Sequence, residues 1–139
     1  MRCVASRRGT ALLEFALAWP VALLLVFGCV ELAVWGAESF AARSAALAGA
    51  RAASVAGSNP RTAALVTIRA LSPSLVGVQA GAWCPGQGAP PAVWVCAADE
   101  GRVIQVEVGG SVPALVPVGL GQGLPLHARV QILKEAFTS

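Results

Sequence analysis

Arg7-Arg8-Gly9-Thr10-Ala11-Leu12-Leu13-Glu14-Phe15-Ala16-Leu17-Ala18-Trp19-Pro20 opens the long apolar stretch of this chain and decides its fold. Basic residues stand before it and one carboxylate stands at its mouth. Phe15 to Val30 then carries no charge, and Leu32 to Ala37 continues the apolar run past Glu31. A helix from Ala11 to Ala37 would be about 40 Å long at 1.5 Å per residue, enough to cross the hydrocarbon with tilt to spare. Arg2, Arg7, Arg8 and the amino terminus lie on one side. The positive-inside rule therefore predicts a cytoplasmic N-terminus and a C-terminal body outside. Trp35 falls near the outer boundary, where an indole is favoured, and Trp19 lies deeper. Pro20 lacks a backbone donor and predicts a bend.

Composition supports this partition. Of 139 residues, 56% are hydrophobic and only 12% are charged, about half the usual charged share of a soluble domain. The apolar excess is concentrated before Ala70. The remainder of the chain beyond a membrane helix is small and must have a modest core. The formal net charge is +3, with 10 scattered basic residues. Without a dense basic run or interleaved aromatics, nucleic-acid binding is not supported.

A cleaved secretory signal shares the basic start and apolar centre. Here Glu14 interrupts the start of the apolar region, and the run is too long for a signal's core. Neither Ala33-Val34-Trp35 nor Gly36-Ala37-Glu38 makes a good small-x-small site. Ser6-Arg7-Arg8 matches the start of a twin-arginine signal, but Gly9-Thr10-Ala11 lacks the apolar pair that should follow.

Basic residues, a glycine, four mostly apolar residues, Glu-Phe and then a long apolar helix with an early proline resemble a type IV prepilin of the Flp/Tad class. The whole chain is similar to the TadE-like minor pseudopilins of tight-adherence pilus systems. The tail adds to the likeness through Val103 to Val108, the Pro/Gly-rich Val112-Pro113-Ala114-Leu115-Val116-Pro117, and Leu126 to Glu135. Phe15 stands where the major Flp pilins commonly carry Tyr. The resemblance implies that a prepilin peptidase cuts between Gly9 and Thr10 on the cytoplasmic side, making Glu14 the fifth mature residue and Phe15 the sixth. It implies a place in the bacterial inner (cytoplasmic) membrane and support of pilus biogenesis and adhesion, with incorporation into a cell-surface pilus open. The implied partners are the membrane, the peptidase, other pilins and pseudopilins, and Tad inner-membrane assembly proteins. No small-molecule substrate, cofactor or metal is expected.

The chemistry of Glu14 fits that expectation. An ionised Glu in hydrocarbon costs roughly a few kcal/mol or more. A cut after Gly9 would create an ammonium at Thr10, one helical turn from Glu14 and on the same face. The carboxylate could then neutralise its own terminus or that of a neighbour. In a low-dielectric bundle such pairing offsets a burial cost that a lone Glu could not tolerate. It also fixes axial register, because a slip would strand both charges. The alternative is a carboxylate that only complements the helix dipole. Glu31, nearer the outer side, either snorkels to the interface or meets a partner membrane protein.

Beyond the span, Glu38 to Val55 is Ala-rich and lacks Pro, so the helix should continue as a stalk. Ala41, Ala45, Gly49, Ala53 and Gly57 form a row of small residues that lets another backbone come close. Arg43, Leu47, Arg51 and Val55 form a bulkier, part-basic row. Asn59-Pro60 reads as a helix cap and first turn, and Arg61 to Leu71 as a short amphipathic helix stopped by Ser72-Pro73. Period-two patterns come next, at Val76–Ala82, Ala92–Ala97, Ile104–Val108 and Leu126–Ile132. They predict a small antiparallel sheet with one face covered by the helices, an α+β head. The expected organisation is a leader over 1–9, a transmembrane helix over 10–37, a helical stalk over 38–57 and an extracytoplasmic head over 58–139.

Cys84 and Cys96 flank the Pro/Gly-rich loop from Pro85 to Pro91, and an extracytoplasmic pair so placed suits a disulfide. Two free thiols or half a zinc site remain the alternatives, weakened by the lack of a second ligand pair. Cys3 lies in the leader and Cys29 in the span. Catalytic signals are nearly absent. His127 falls on a polar strand face, Asp99-Glu100 in a turn, and Gly119-x-Gly121-x-Gly123 does not open a helix as phosphate binding requires. Two function classes stand: a pilus assembly subunit, or an uncleaved single-pass membrane-anchored extracytoplasmic binding module.

Overall fold

A computed structural model describes residues 7–55, 59–115 and 123–134, with side chains from Ala11 onward. Helix α1 spans Arg7–Ser54, 48 residues without interruption at Pro20, about 70 Å at 1.5 Å per residue. The expected stalk is thus the same helix as the expected span. The expectations for Gly57, Val116, Pro117, Gly119, Gly121 and Glu135, and those for Arg2, Cys3 and the start of the leader, lie outside the described residues.

Helix α2 spans Pro60–Leu71. Its start follows the predicted chemistry. The Asn59 side chain accepts the Thr62 N–H at 3.0 Å, and Pro60 takes the first helical position, where its missing donor costs nothing. A single 3-10 turn at Ser72–Ser74 ends it.

Four strands complete the fold: β1 (Ala80–Ala82), β2 (Val93–Asp99), β3 (Val103–Val112) and β4 (Leu124–Leu133), in the spatial order β1-β2-β3-β4. The period-two residues land as the pattern requires. Ile104, Val106 and Val108 on β3, and Leu126 and Ala128 on β4, are buried. The fold is α+β, with one departure from an all-antiparallel sheet. β1 pairs parallel to β2, with Ala80 opposite Val93 and Ala82 opposite Val95. Alternation reports which face is buried and is silent on strand direction. β1 is also shorter than its pattern. Gly77 adopts φ +74°, which breaks the extended run. The Val76 N–H is bonded to the Glu38 carboxylate at 3.1 Å rather than to a strand.

Both helices cover the inner face of the sheet, α1 over β3 and β4 and α2 chiefly over β2 and β1. The helix side of this core is almost all alanine: Ala42, Ala45, Ala46, Ala50 and Ala53 from α1, and Ala63 and Ala64 from α2. The sheet side supplies Val93, Val95, Ile104, Val106, Val108, Val112 and Leu126. Small residues bring the helix backbones close to each other and to the sheet. Gly49 marks the tightest approach, since a Cβ there would lie 1.9 Å from Thr67 Oγ1 and 2.6 Å from the Ala63 carbonyl oxygen. The predicted small row is therefore part of a wider buried band that also takes in Ala42, Ala46 and Ala50. The bulkier row of Arg43, Arg51 and Val55 faces solvent, with Leu47 half-buried.

Candidate functional site

The lower part of α1 meets nothing in the chain. From Ala11 to Val30 every residue is exposed except half-buried Gly28. The exposed set includes Leu12, Leu13, Phe15, Leu17, Trp19, Leu24, Leu25 and Phe27. The helix from Ala11 to Ser54 contains an 18-residue window of mean hydropathy 2.2, with none of it buried. The exposed segment from Ala11 to Val30 is about 30 Å long, which matches the hydrocarbon core of a bilayer. In water so large an apolar surface would aggregate. It suits lipid or other apolar helices.

Glu14 sits at the N-terminal end of this collar. With Leu17, Ala18, Val21, Ala22 and Leu25 it lines a shallow strip down one helix face. Phe15 and Trp19, one turn apart on the same helix, stack with ring centroids 5.8 Å apart. Gly9 and Thr10 fall in the first turn of α1, so their backbone places Thr10 one turn before Glu14. Side chains before Ala11 lie outside the described residues, and so does the expected pairing of Thr10 with Glu14.

At the top of the collar the head takes hold of the helix. Both oxygens of Glu31 accept the Leu115 N–H, at 3.0 and 2.9 Å. One turn on, the Trp35 indole donates to the Pro125 carbonyl at 3.0 Å. Glu38, only 4% exposed, accepts the Val76 N–H at 3.1 Å. Spacings of four and three put all three on one face of α1. Glu31 and Glu38 satisfy backbone N–H groups of loops beside the sheet, and Trp35 satisfies a carbonyl near the start of β4. This adds to two expectations. Glu31 bonds to its own chain, a partner that neither of its two readings named. Trp35 packs against the head core and gives its N–H to Pro125. The signal available in the sequence was the spacing of three hydrogen-bonding side chains down one face of an otherwise apolar helix.

The outer face of the sheet is polar and aromatic. Cys84 and Cys96 are joined in a disulfide with Cα atoms 4.8 Å apart. It ties the end of β1 to β2 beneath the loop that returns the chain for parallel pairing. Trp83 and Trp94 meet edge to face at 5.4 Å. Trp94 lies over Gly109, where a Cβ would be 2.4 Å from the indole. Gln105 accepts from Arg129 and Gln131 at 2.6 and 2.7 Å. His127 is exposed, 3.8 Å from Glu107. At the β2–β3 turn, Asp99 pairs with Lys134 and accepts the Gly101 N–H at 2.9 Å. The Lys134 hydrogen bond, followed by the Gly101 N–H, holds the Asp99 carboxyl below its usual range. None of these groups joins a nucleophile to a base and an orienting partner, the arrangement that bond-making chemistry needs. Among the described residues, no three or more His, Cys, Asp and Glu side chains are placed to hold a metal ion.

An exposed apolar helix that carries a compact α+β head suits a membrane anchor. Residues 9–51 match the family described as TadE-like protein. The match covers nearly all of α1 and stops before the head. The likeness to TadE-like proteins is thus one of the N-terminal helix. No curated protein and no solved structure matches the chain.

Proposed function

We propose that this chain is a minor pseudopilin or assembly component of a Tad-type pilus, held in the bacterial cytoplasmic membrane through α1. The observation that carries this reading is the coincidence of the TadE-like match with an exposed apolar collar that has a single carboxylate at its N-terminal end. A prepilin peptidase cuts after Gly9, which removes Arg7 and Arg8 from the membrane surface and leaves Thr10 as a new ammonium. Glu14 then neutralises an N-terminus one turn away, on this chain or on a neighbouring subunit. The N-terminus faces the cytoplasm and the head lies outside, where disulfides persist. The head presents its polar outer face to other pilus components, and the function is structural rather than catalytic.

Cleavage tests the reading. Co-expression with the cognate prepilin peptidase should shorten the chain by residues 1–9, read as intact mass, and Gly9→Ala should abolish the change. An unchanged mass with a peptidase that processes other pilins would favour the uncleaved, anchored binding module.

A further inference from the structure

The contacts at Glu31, Trp35 and Glu38 fix where the head begins along the helix, and that height determines what lies beneath it. Ala11–Val30 already matches the thickness of a hydrocarbon core, so no length of helix is left over between bilayer and head. Helical side chains tilt toward the helix N-terminus. The Glu31 carboxylate therefore reaches downward, and the Leu115 N–H it holds lies at or below the level of its own Cα. Leu115 itself is 50% exposed. Beside this turn runs a second uncharged segment, for a Cβ on Gly77 would sit 3.5 Å from Pro113 Cγ. Neither 113–115 nor 74–77 contains a charged residue. Among the described residues, the underside of the head is thus half apolar and carries no charge besides the Glu31 carboxylate, and it continues the collar at its upper rim.

The geometry points to a lipid surface as the occupant of that underside. The bilayer boundary lies at Val30–Glu31, and the turn at 113–115 rests on the headgroups with the Leu115 side chain at the acyl boundary. This rests on the membrane reading given above and adds the depth and the contacting turn. Glu31 acts as a positioning residue: its carboxylate occupies the interface and ties the turn there. Val76, held by Glu38 rather than Glu31, lies on the upper margin of that underside. The loop around Gln87 projects into water.

Spin labels in the full chain, reconstituted in phosphatidylcholine–phosphatidylglycerol vesicles, test this. Single labels are placed by Val26→Cys, Leu115→Cys, Val76→Cys and Gln87→Cys in a Cys3→Ser, Cys29→Ser background. Collision with oxygen, which partitions into lipid, is compared with collision with a water-soluble nickel chelate. The expected oxygen-to-nickel ratio falls in the order Val26, Leu115, Val76, Gln87, with Leu115 severalfold above Gln87. Ala114→Cys should read close to Leu115→Cys, which guards against a local effect of losing the leucine. Adding Glu31→Ala should raise nickel access at position 115 and leave Val26 unchanged. A ratio at Leu115 and Ala114 equal to that at Gln87, with Val26 still oxygen-rich, would overturn the seating while sparing the membrane anchor. A nickel-rich Val26 would overturn both.

Discussion

One helix, α1, is built for two surroundings, and its two parts invert the usual rule of burial. From Ala11 to Val30 the large residues Leu, Val, Phe and Trp face outward. From Glu38 to Ser54 the buried residues are chiefly alanines, with Gly49 among them, while Phe40 is 75% exposed. A soluble domain hides its large apolar side chains because water is the alternative. The lower part of α1 gains nothing by hiding them if lipid is the alternative. The upper part gains by being small, since alanine and glycine let α2 and the sheet approach closely and lose little side-chain entropy on burial. The change between the two falls at Glu31, where the first hydrogen bond from helix to head forms.

Paired substitutions sharpen this contrast, and the glycine pair should separate the two parts most widely. Gly49→Ala places a methyl group into Thr67 and the Ala63 carbonyl. A backbone atom cannot step aside as a flexible side chain can, so the loss should be about 3 kcal/mol. Gly28→Ala meets nothing within 4 Å and should leave the head unchanged or gain slightly from helix propensity. Thermal unfolding of the head in detergent micelles reads both. Equal losses would break the contrast.

A smaller effect is expected at the junction. Glu38→Ala removes a buried acceptor and leaves the Val76 N–H unpaired, at a cost of about 2 kcal/mol. Glu31→Ala frees a half-exposed turn and should lower the unfolding temperature less while raising amide exchange at Leu115. The reverse ranking would show that the head hangs from Glu31 rather than from the upper helix.

The smallest effect belongs to the far end of the sheet. Asp99 is held by Lys134 and Gly101 below the ordinary value of an aspartate carboxyl. A carboxyl with a lowered folded pKa stabilises above its unfolded value, and that contribution is lost as pH falls through the folded one. Head stability should therefore decline on acidification from about pH 4 downward, and Lys134→Ala should flatten that slope. The group is exposed, so salt should weaken the effect.

Much of the architecture was legible because local chemistry decided it. The collar follows from an uncharged run, the start of α2 from Asn59-Pro60, and the buried faces of β3 and β4 from alternation at Ile104, Val106, Val108 and Leu126, Ala128. The close helix approach was foreshadowed by spacing at Ala45, Gly49 and Ala53. The hidden part was long-range. Glu31 finds Leu115 at a separation of 84 residues and Trp35 finds Pro125 at a separation of 90, and no local pattern names such partners. The direction of β1 was equally silent, because a parallel and an antiparallel strand can bury the same alternate residues. Glu38 read only as the first residue of a helical stalk. Its burial arises only when the chain near Val76 folds back over the helix.

The central claim is that the lower part of α1 serves assembly in the membrane while the upper part carries the head. Glu14→Ala tests it most directly, measured as pilus yield from cells that make the variant at normal levels. The account predicts membrane insertion, cleavage after Gly9 and an unchanged head unfolding transition, with pilus formation lost. Normal pili from that variant would contradict it.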